Sequence, residues 1–119
     1  MKTQQSDVLI VGGGIAGLVA AYECLSEGLS VTIIERDIEA NLGGLAKRSF
    51  GGMALVNTPI QRKMGIQDSS AIALKDWYSF ADFEEHDYWP KKWAEHYVNH
   101  CLKDVYEWLV SFGLKFLPA

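Results

Sequence analysis

Several residue types that would mark other classes of protein are scarce in this sequence. Only two cysteines, Cys24 and Cys101, occur in 119 residues, which excludes a disulfide-rich secreted scaffold and a zinc site made of four thiolates. Both cysteines are therefore expected to be reduced, as in a cytoplasmic protein. No apolar run reaches the roughly 20 residues that a membrane-spanning helix needs. The net charge of −4 argues against a nucleic-acid binder, which would normally present a basic surface.

Aromatic residues are almost absent from the first 48 positions, where Tyr22 is the only one. The other thirteen lie between Phe50 and Ala119. A small domain with so many rings in one half needs a larger partner surface to bury them. We therefore expect this chain to be one piece of a longer protein.

The first 35 residues alternate between two β-branched runs and one helical pattern. Asp7–Val11 and Ser30–Glu35 each predict a buried strand. Ile15–Glu27 has helical spacing and is followed by Gly28, a residue typical of helix C-termini. Strand, helix and strand in this order form a βαβ unit over residues 7–35, in which the two strands are predicted to be parallel.

The rest of the chain is predicted to be a loop followed by helices. Residues 36–67 have weak periodicity and two glycine pairs, which indicates an extended, glycine-rich loop with a short helix near Ala46. Residues 68–113 are predicted to be a mainly helical segment. One helix runs to about Ala81, and the next has Pro90 at its first position and ends at Gly113. Leu114–Leu117 has the pattern of a further strand.

The second of these helices carries a stripe of large side chains at helical spacing. The stripe consists of Trp93, Tyr97, Cys101, Val105, Trp108 and Phe112. We interpret it as a core-packing face rather than as an aromatic ligand site. His96 and His100 have the spacing of two metal ligands on one helix, but no third ligand accompanies them, so no metal site is predicted.

Three glycines follow the first strand with the spacing of a dinucleotide-binding turn. Gly12 permits the tight turn out of the strand, Gly14 lets the backbone approach a pyrophosphate, and Gly17 lets the helix lie close to the sheet. The free N–H groups at the start of this helix, around Ile15 and Ala16, then favour a bound phosphate. The sequence therefore predicts a phosphate-binding site at this turn.

An acidic residue stands where such a site needs one, at the end of the second strand. Glu35 follows Gly17 by 18 residues, and its carboxylate is predicted to accept hydrogen bonds from an adenosine ribose. It would repel a 2′-phosphate, which disfavours NADP, while FAD and NAD both satisfy the pattern. The glycine pairs Gly43–Gly44 and Gly51–Gly52 favour FAD, because a flavin needs close backbone approach beyond the pyrophosphate.

The whole chain resembles one group of flavoproteins. The segment DVLIVGGGIAGLVAAYECLSEGLSVTIIER resembles the N-terminal FAD-binding signature of two-dinucleotide-binding flavoproteins. The following GGLAKRSFGGMALVNTPIQRKMGIQDS is similar to the group that includes succinate dehydrogenase and fumarate reductase flavoproteins and 3-ketosteroid 1-dehydrogenases. Later segments, among them QRKMGIQDSSAIALKDWYSFADF, resemble a bacterial branch of FAD-binding dehydrogenases.

This resemblance implies a fold, an activity and a set of site residues. The implied fold is α/β, an incomplete Rossmann-type βαβ unit followed by a mainly helical segment, which together form one partial FAD-binding domain over residues 1–119. The implied activity is FAD-dependent oxidoreduction at C–H or C=C bonds of a small-molecule substrate. The implied cofactor contacts are Gly12, Gly14, Ile15, Ala16, Gly17, Glu35, Arg36, Gly43, Gly44, Ser49, Gly51 and Gly52.

Two departures from the family qualify these expectations. Some relatives attach their flavin through a histidine near the glycine pairs, but this sequence has no histidine before His86, so non-covalent binding is implied. Members are several times longer, so the catalytic residues and the substrate domain are expected elsewhere and this chain alone is expected to be inactive. Two alternatives stay open. One is a fragment of an NAD-dependent Rossmann dehydrogenase, and the other is a non-catalytic truncated product or a subunit that binds the missing C-terminal half in trans.

Overall fold

The computed structural model describes residues 4–117 and has a mixed α/β architecture. The chain forms two compact units, one ending at Gly52 and the other beginning at Met53. The first unit holds a small parallel sheet, and the second is helical. The boundary between them falls inside the predicted glycine-rich segment, residues 36–67.

The first unit begins with a strand, a helix and a second strand. β1 (Val8–Val11) pairs in parallel with β2 (Val31–Ile34), with Val8 opposite Val31. α1 (Ile15–Ser26) connects the two strands. Each element lies within one residue of its predicted bounds, which confirms the predicted order and the parallel pairing.

The starts of the two strands are held together by Asp7 and Ser30. The Oδ2 atom of Asp7 accepts hydrogen bonds from the backbone N–H of Ser30 at 2.8 Å and from its hydroxyl at 2.6 Å. These bonds, the hydroxyl bond foremost, hold the pKa of Asp7 below its ordinary value. The strands therefore enter the sheet in a fixed register, and both carboxyl ends reach the same edge.

After β2, the first unit continues as two 3-10 turns, Glu39–Asn41 and Gly44–Arg48. The second turn contains Ala46, which confirms the short helix predicted there and gives it 3-10 geometry. The ammonium group of Lys47 donates to the carbonyl of Ala40 and so ties one turn to the other.

The second unit is built from helices. They are α2 (Pro59–Lys63), α3 (Ser70–Ala81), α4 (Tyr88–His100) and α5 (Trp108–Ser111). A π-helical stretch, Cys101–Glu107, joins α4 to α5 without a break. Within residues 4–117, no helix is long and apolar enough to cross a membrane.

The core of the second unit lies where α3 packs against α4. Val56, Val98 and Cys101 form its buried cluster. The hydroxyl of Ser70 donates to the carbonyl of Val98 at 3.0 Å and links the two helices by a polar contact as well.

Three predictions for the second unit are wrong. Pro90 is the third residue of α4, not the first; the first turn tolerates it because those N–H groups have no partner within the helix. Part of the predicted loop is helix α2, which begins after Thr58 with a capping box. Leu114–Leu117 forms no strand.

The aromatic stripe of the long helix is only partly buried. Cys101 is 1% exposed, but Trp93 is 68% exposed and Phe112 is 48% exposed. The smaller side chains of Ala94 and Val98 take the inner positions instead, at 1% and 4% exposed. The interpretation of the stripe as a packed core is therefore wrong for Trp93 and Phe112 in this chain.

Candidate cofactor site

The three glycines of the turn between β1 and α1 differ in what the protein itself requires of them. Gly12 has a φ of +105°, which residues with a side chain rarely adopt. A Cβ atom at Gly17 would collide with the backbone carbonyl of Gly12. Gly14, by contrast, has a φ of −77°, and a Cβ there would meet no atom within 4 Å. Neither backbone conformation nor packing within the described residues explains why Gly14 is a glycine.

The open space at Gly14 adjoins the N-terminus of α1. Within the part of the chain that the structure describes, no side chain caps this end, and the first turn holds no acidic residue. The N–H groups of Ile15, Ala16 and Gly17 and the positive end of the helix dipole are therefore available to an anion. This geometry fits a phosphate that approaches the backbone at Gly14.

The carboxylate of Glu35 is held against this turn by backbone N–H groups. Its Oε2 atom accepts a hydrogen bond from Gly13 at 2.7 Å, and its Oε1 atom accepts from Arg36 at 2.7 Å and from Asp37 at 3.0 Å. These bonds, the one from Gly13 foremost, hold the pKa of Glu35 below its ordinary value of 4.5. The carboxylate is therefore ionised near neutral pH, and its remaining lone pairs can accept bonds from a ligand hydroxyl.

One of the two predicted glycine pairs meets the turn directly. The N–H of Gly43 donates to the carbonyl of Gly13 at 2.9 Å, and Gly43 forms an isolated parallel bridge with Gly14. A Cβ atom on Gly44 would lie 3.6 Å from the Cα atom of Gly14. The structure therefore brings Gly43 and Gly44 to the predicted phosphate turn.

The other predicted residues of this segment lie in a local turn. The backbone N–H of Gly51 donates to the hydroxyl of Ser49 at 3.0 Å. The missing Cβ of Gly52 faces the ring of Phe50, which is itself 99% exposed. Nothing in these contacts joins Ser49, Gly51 or Gly52 to the turn at Gly12.

A cavity of about 490 Å³ lies beside Glu35. The amide of Asn41 on its wall donates to Asp37 at 3.0 Å. Its charged lining residues are Glu35, Asp37, Arg36, Lys47 and Arg48. The cavity thus continues from the predicted ribose carboxylate and is polar enough for a nucleotide.

Two residues at the site, Gly13 and Leu42, are not singled out by any of the sequence motifs. Gly13 is buried, and a Cβ on it would collide with Cδ1 of Leu42. The run of three glycines is the only sequence signal for Gly13, and Leu42 has none.

His96 and His100 both lie on α4 in the second unit. The rings of His96 and His100 stack with centroids 4.2 Å apart, and Nδ1 of His100 bonds to the carbonyl of His96 at 2.7 Å. Among residues 4–117, no group of three His, Cys, Asp or Glu side chains could hold a metal ion.

Comparison with known proteins gives one family and several relatives. The FAD binding domain family matches residues 7–119. A KsdD-like steroid dehydrogenase of Mycobacterium tuberculosis is 47% identical over 114 residues, which is 95% of this chain and 20% of the relative. A 3-oxosteroid 1-dehydrogenase of Mycolicibacterium smegmatis is 37% identical over 75 residues, covering 63% of this chain and 13% of the relative. An NADH:fumarate oxidoreductase of Klebsiella pneumoniae is 40% identical over 70 residues, covering 59% of this chain and 7% of the relative.

These matches confirm the resemblance to the fumarate reductase and steroid dehydrogenase flavoproteins. They also confirm FAD, rather than NAD, as the cofactor. The chain spans about a fifth, or less, of the length of the curated relatives it matches.

Substitutions at Gly17 and Gly14 should have opposite effects on the cofactor-free protein. Gly17→Ala forces two backbone segments apart, so we expect it to lower the free energy of unfolding by about 1–3 kcal/mol. Gly14→Ala meets open space in an ordinary conformation, so we expect it to be neutral or to stabilise by up to about 1 kcal/mol. Denaturant unfolding without FAD measures both values, and a similar loss in the two variants would contradict the geometry of the turn.

Proposed function

The chain belongs to the FAD binding domain family, and on that premise we propose that it forms a partial FAD-binding domain, residues 1–119, of an FAD-dependent oxidoreductase. The observation that carries the assignment of the site is Gly14, a glycine for which the described residues give no conformational or packing reason. A pyrophosphate that approaches the backbone closely supplies that reason. The uncapped N-terminus of α1 beside it supports the same assignment.

In this proposal, residues of the first unit would hold FAD. The turn residues and the N–H groups of α1 would hold the pyrophosphate, and Glu35 and Arg36 would hold the adenosine. The ribityl chain and the flavin would be held by Gly43, Gly44, Ser49, Gly51 and Gly52. Binding is non-covalent, since no histidine precedes His86. When bound, FAD supplies hydride transfer to or from a carbon atom of the substrate.

We assign the strand–helix–strand unit to the Rossmann type. Its parallel strands, the glycine turn after β1 and the acidic residue after β2 support this assignment. Parallel sheets are normally covered on both faces, yet Val11 of β1 is 82% exposed. Phe80 and Trp89 of the second unit are 93% and 69% exposed. We propose that further sequence, on the same chain or in trans, covers these surfaces and completes the sheet.

The steroid dehydrogenase relatives favour a steroid-like ketone as the substrate of the longer protein. The KsdD-like enzyme matches 95% of this chain, whereas the fumarate oxidoreductase matches 59%. The substrate-binding and catalytic groups lie outside these 119 residues in this proposal, so none is assigned here. The two free cysteines support a cytoplasmic location.

Gly14→Val should weaken FAD binding at least tenfold without unfolding the protein. The branched side chain fills the space assigned to the pyrophosphate, while φ of −77° and ψ of −177° suit valine. Titration of FAD fluorescence should show affinity lower by tenfold or more, and the melting temperature without FAD serves as the control. An unchanged flavin content in a folded variant would remove the assignment.

A chimaera tests the activity of the longer protein. Residues 7–119 replace the matching segment of the KsdD-like relative, and steroid-dependent dye reduction is measured. We expect a flavin-loaded, active chimaera, an inactive Gly14→Val chimaera, and no turnover by the 119-residue chain alone. A folded chimaera without flavin, or turnover by the isolated chain, would contradict the proposal.

A further inference from the structure

The cavity beside Glu35 also borders the turn after β1. Gly44 is one of its lining residues, and a Cβ atom on Gly44 would lie 3.6 Å from the Cα atom of Gly14. The lining of the cavity therefore runs from the predicted ribose carboxylate to a residue that touches the turn. Charges in this lining act on any anion that binds at Gly14.

Two carboxylates in the lining are bound by the chain's own donors. Glu35 accepts from three backbone N–H groups, and Oδ1 of Asp37 accepts from the N–H of Ile38 at 2.8 Å and from the amide of Asn41 at 3.0 Å. The bonds to Asp37, the one from Asn41 foremost, hold its pKa below the ordinary value. Both carboxylates are therefore ionised near neutral pH, and a diphosphate at the turn needs positive charge to offset them.

Of the described cations in the lining, Lys47 and Arg36 are engaged by the chain itself. The ammonium group of Lys47 donates to the carbonyl of Ala40. Arg36 adjoins Asp37 in the chain, and its positive charge contributes to the lowered pKa of that carboxyl group. These two cations therefore serve contacts within the first unit.

Arg48 is the third cation in the lining, and its side chain is unpaired. Within residues 4–117, its guanidinium group makes neither a hydrogen bond nor an ion pair, although Glu35 and Asp37 line the same cavity. Arg48 ends the 3-10 turn that Gly44 begins. At a rise of about 2.0 Å per residue, the two ends lie about 8 Å apart along the axis, a span that an extended arginine side chain largely covers.

We propose that Arg48 is the cation that binds the pyrophosphate of FAD. A guanidinium group can donate two parallel hydrogen bonds to phosphate oxygens, and its charge offsets the carboxylates of the cavity. This inference rests on the proposed function. It adds a residue that lies outside the glycine motif and outside the cofactor contacts implied by the family resemblance.

Arg48→Gln tests the proposal through FAD affinity and its dependence on salt. We expect affinity about tenfold lower at low salt, because a charge-assisted interaction is lost. The difference should shrink to about threefold or less at about 0.5 M salt, which screens the charge in the native protein. Arg48→Lys keeps the charge without the planar fork, so its affinity should fall between the two and keep the native salt dependence. Titration of FAD fluorescence measures all three proteins.

Two variants with the same loss of charge serve as matched controls. Arg62→Gln removes an exposed cation from the last turn of α2, and Lys47→Met removes the cavity cation that is bonded to Ala40. Both should bind FAD within about threefold of the native protein. A loss in either control equal to that in Arg48→Gln would show that total charge, not Arg48, sets the affinity, and would overturn the proposal.

Adenosine diphosphate locates the contact along the cofactor, because it has the pyrophosphate and the adenosine but no flavin. Calorimetric titration should show ADP affinity about tenfold lower in Arg48→Gln, while uncharged adenosine should bind the native protein and the variant equally. A variant that loses affinity for FAD but not for ADP would overturn the assignment to the pyrophosphate.

The melting temperature without FAD separates binding from folding. The side chain of Arg48 is exposed and unpaired within the described residues, so Arg48→Gln should melt as the native protein does. A variant that fails to fold would contradict that unpaired state and overturn the proposal. Native protein that fails to bind FAD would contradict the proposed function and, with it, this inference. Native affinity and native salt dependence in Arg48→Gln would overturn the inference alone.

Discussion

The hydrogen bond from Gly13 to the carboxylate of Glu35 is the interaction on which the candidate site depends. At 2.7 Å, it fixes the segment after β2 to the turn after β1, and the parallel pairing brings both to one edge of the sheet. A carboxylate has more lone pairs than this bond uses, so Glu35 can hold the turn and still accept bonds from a ribose. Gly43, the first residue of the glycine pair, then contacts the same turn, because its N–H donates to the carbonyl of Gly13.

Local signals explain why most of the first unit could be predicted from the sequence. β-branched runs and terminal glycines mark β1, α1 and β2, and each signal lies within the element that it predicts. Helix α2 also has a local sequence signal, although the loop predicted for residues 36–67 did not take it into account. The Thr58 hydroxyl accepts from the Gln61 N–H, and the Gln61 side chain accepts from the Thr58 N–H, which is a capping box readable as T-P-I-Q.

Contacts between distant residues could not be predicted in this way. Leu42 and Gly13 are far apart in the chain, and only the path of the backbone after β2 brings them together. Periodicity identified a stripe on the long helix, but it could not tell that small Ala94 would face inward while Trp93 stays exposed. The π-helical stretch after His100 widens the turn and changes which side chains share a face, and the sequence pattern does not reveal it.

The amide proton of Gly13 offers the most direct test of this account. The folded-state pKa of Glu35 is lowered, so its hydrogen bonds contribute fully above its ordinary value of 4.5 and are lost as the pH falls through the lower folded-state value. A bond to a charged carboxylate is stronger than one to its neutral form, so the NMR resonance of Gly13 should follow this protonation. We expect it to titrate with an apparent pKa below 4.5 in the native protein and not to titrate in Glu35→Gln. A Gly13 resonance whose chemical shift does not change with pH, or that titrates with an apparent pKa of 4.5 or higher, would contradict the account.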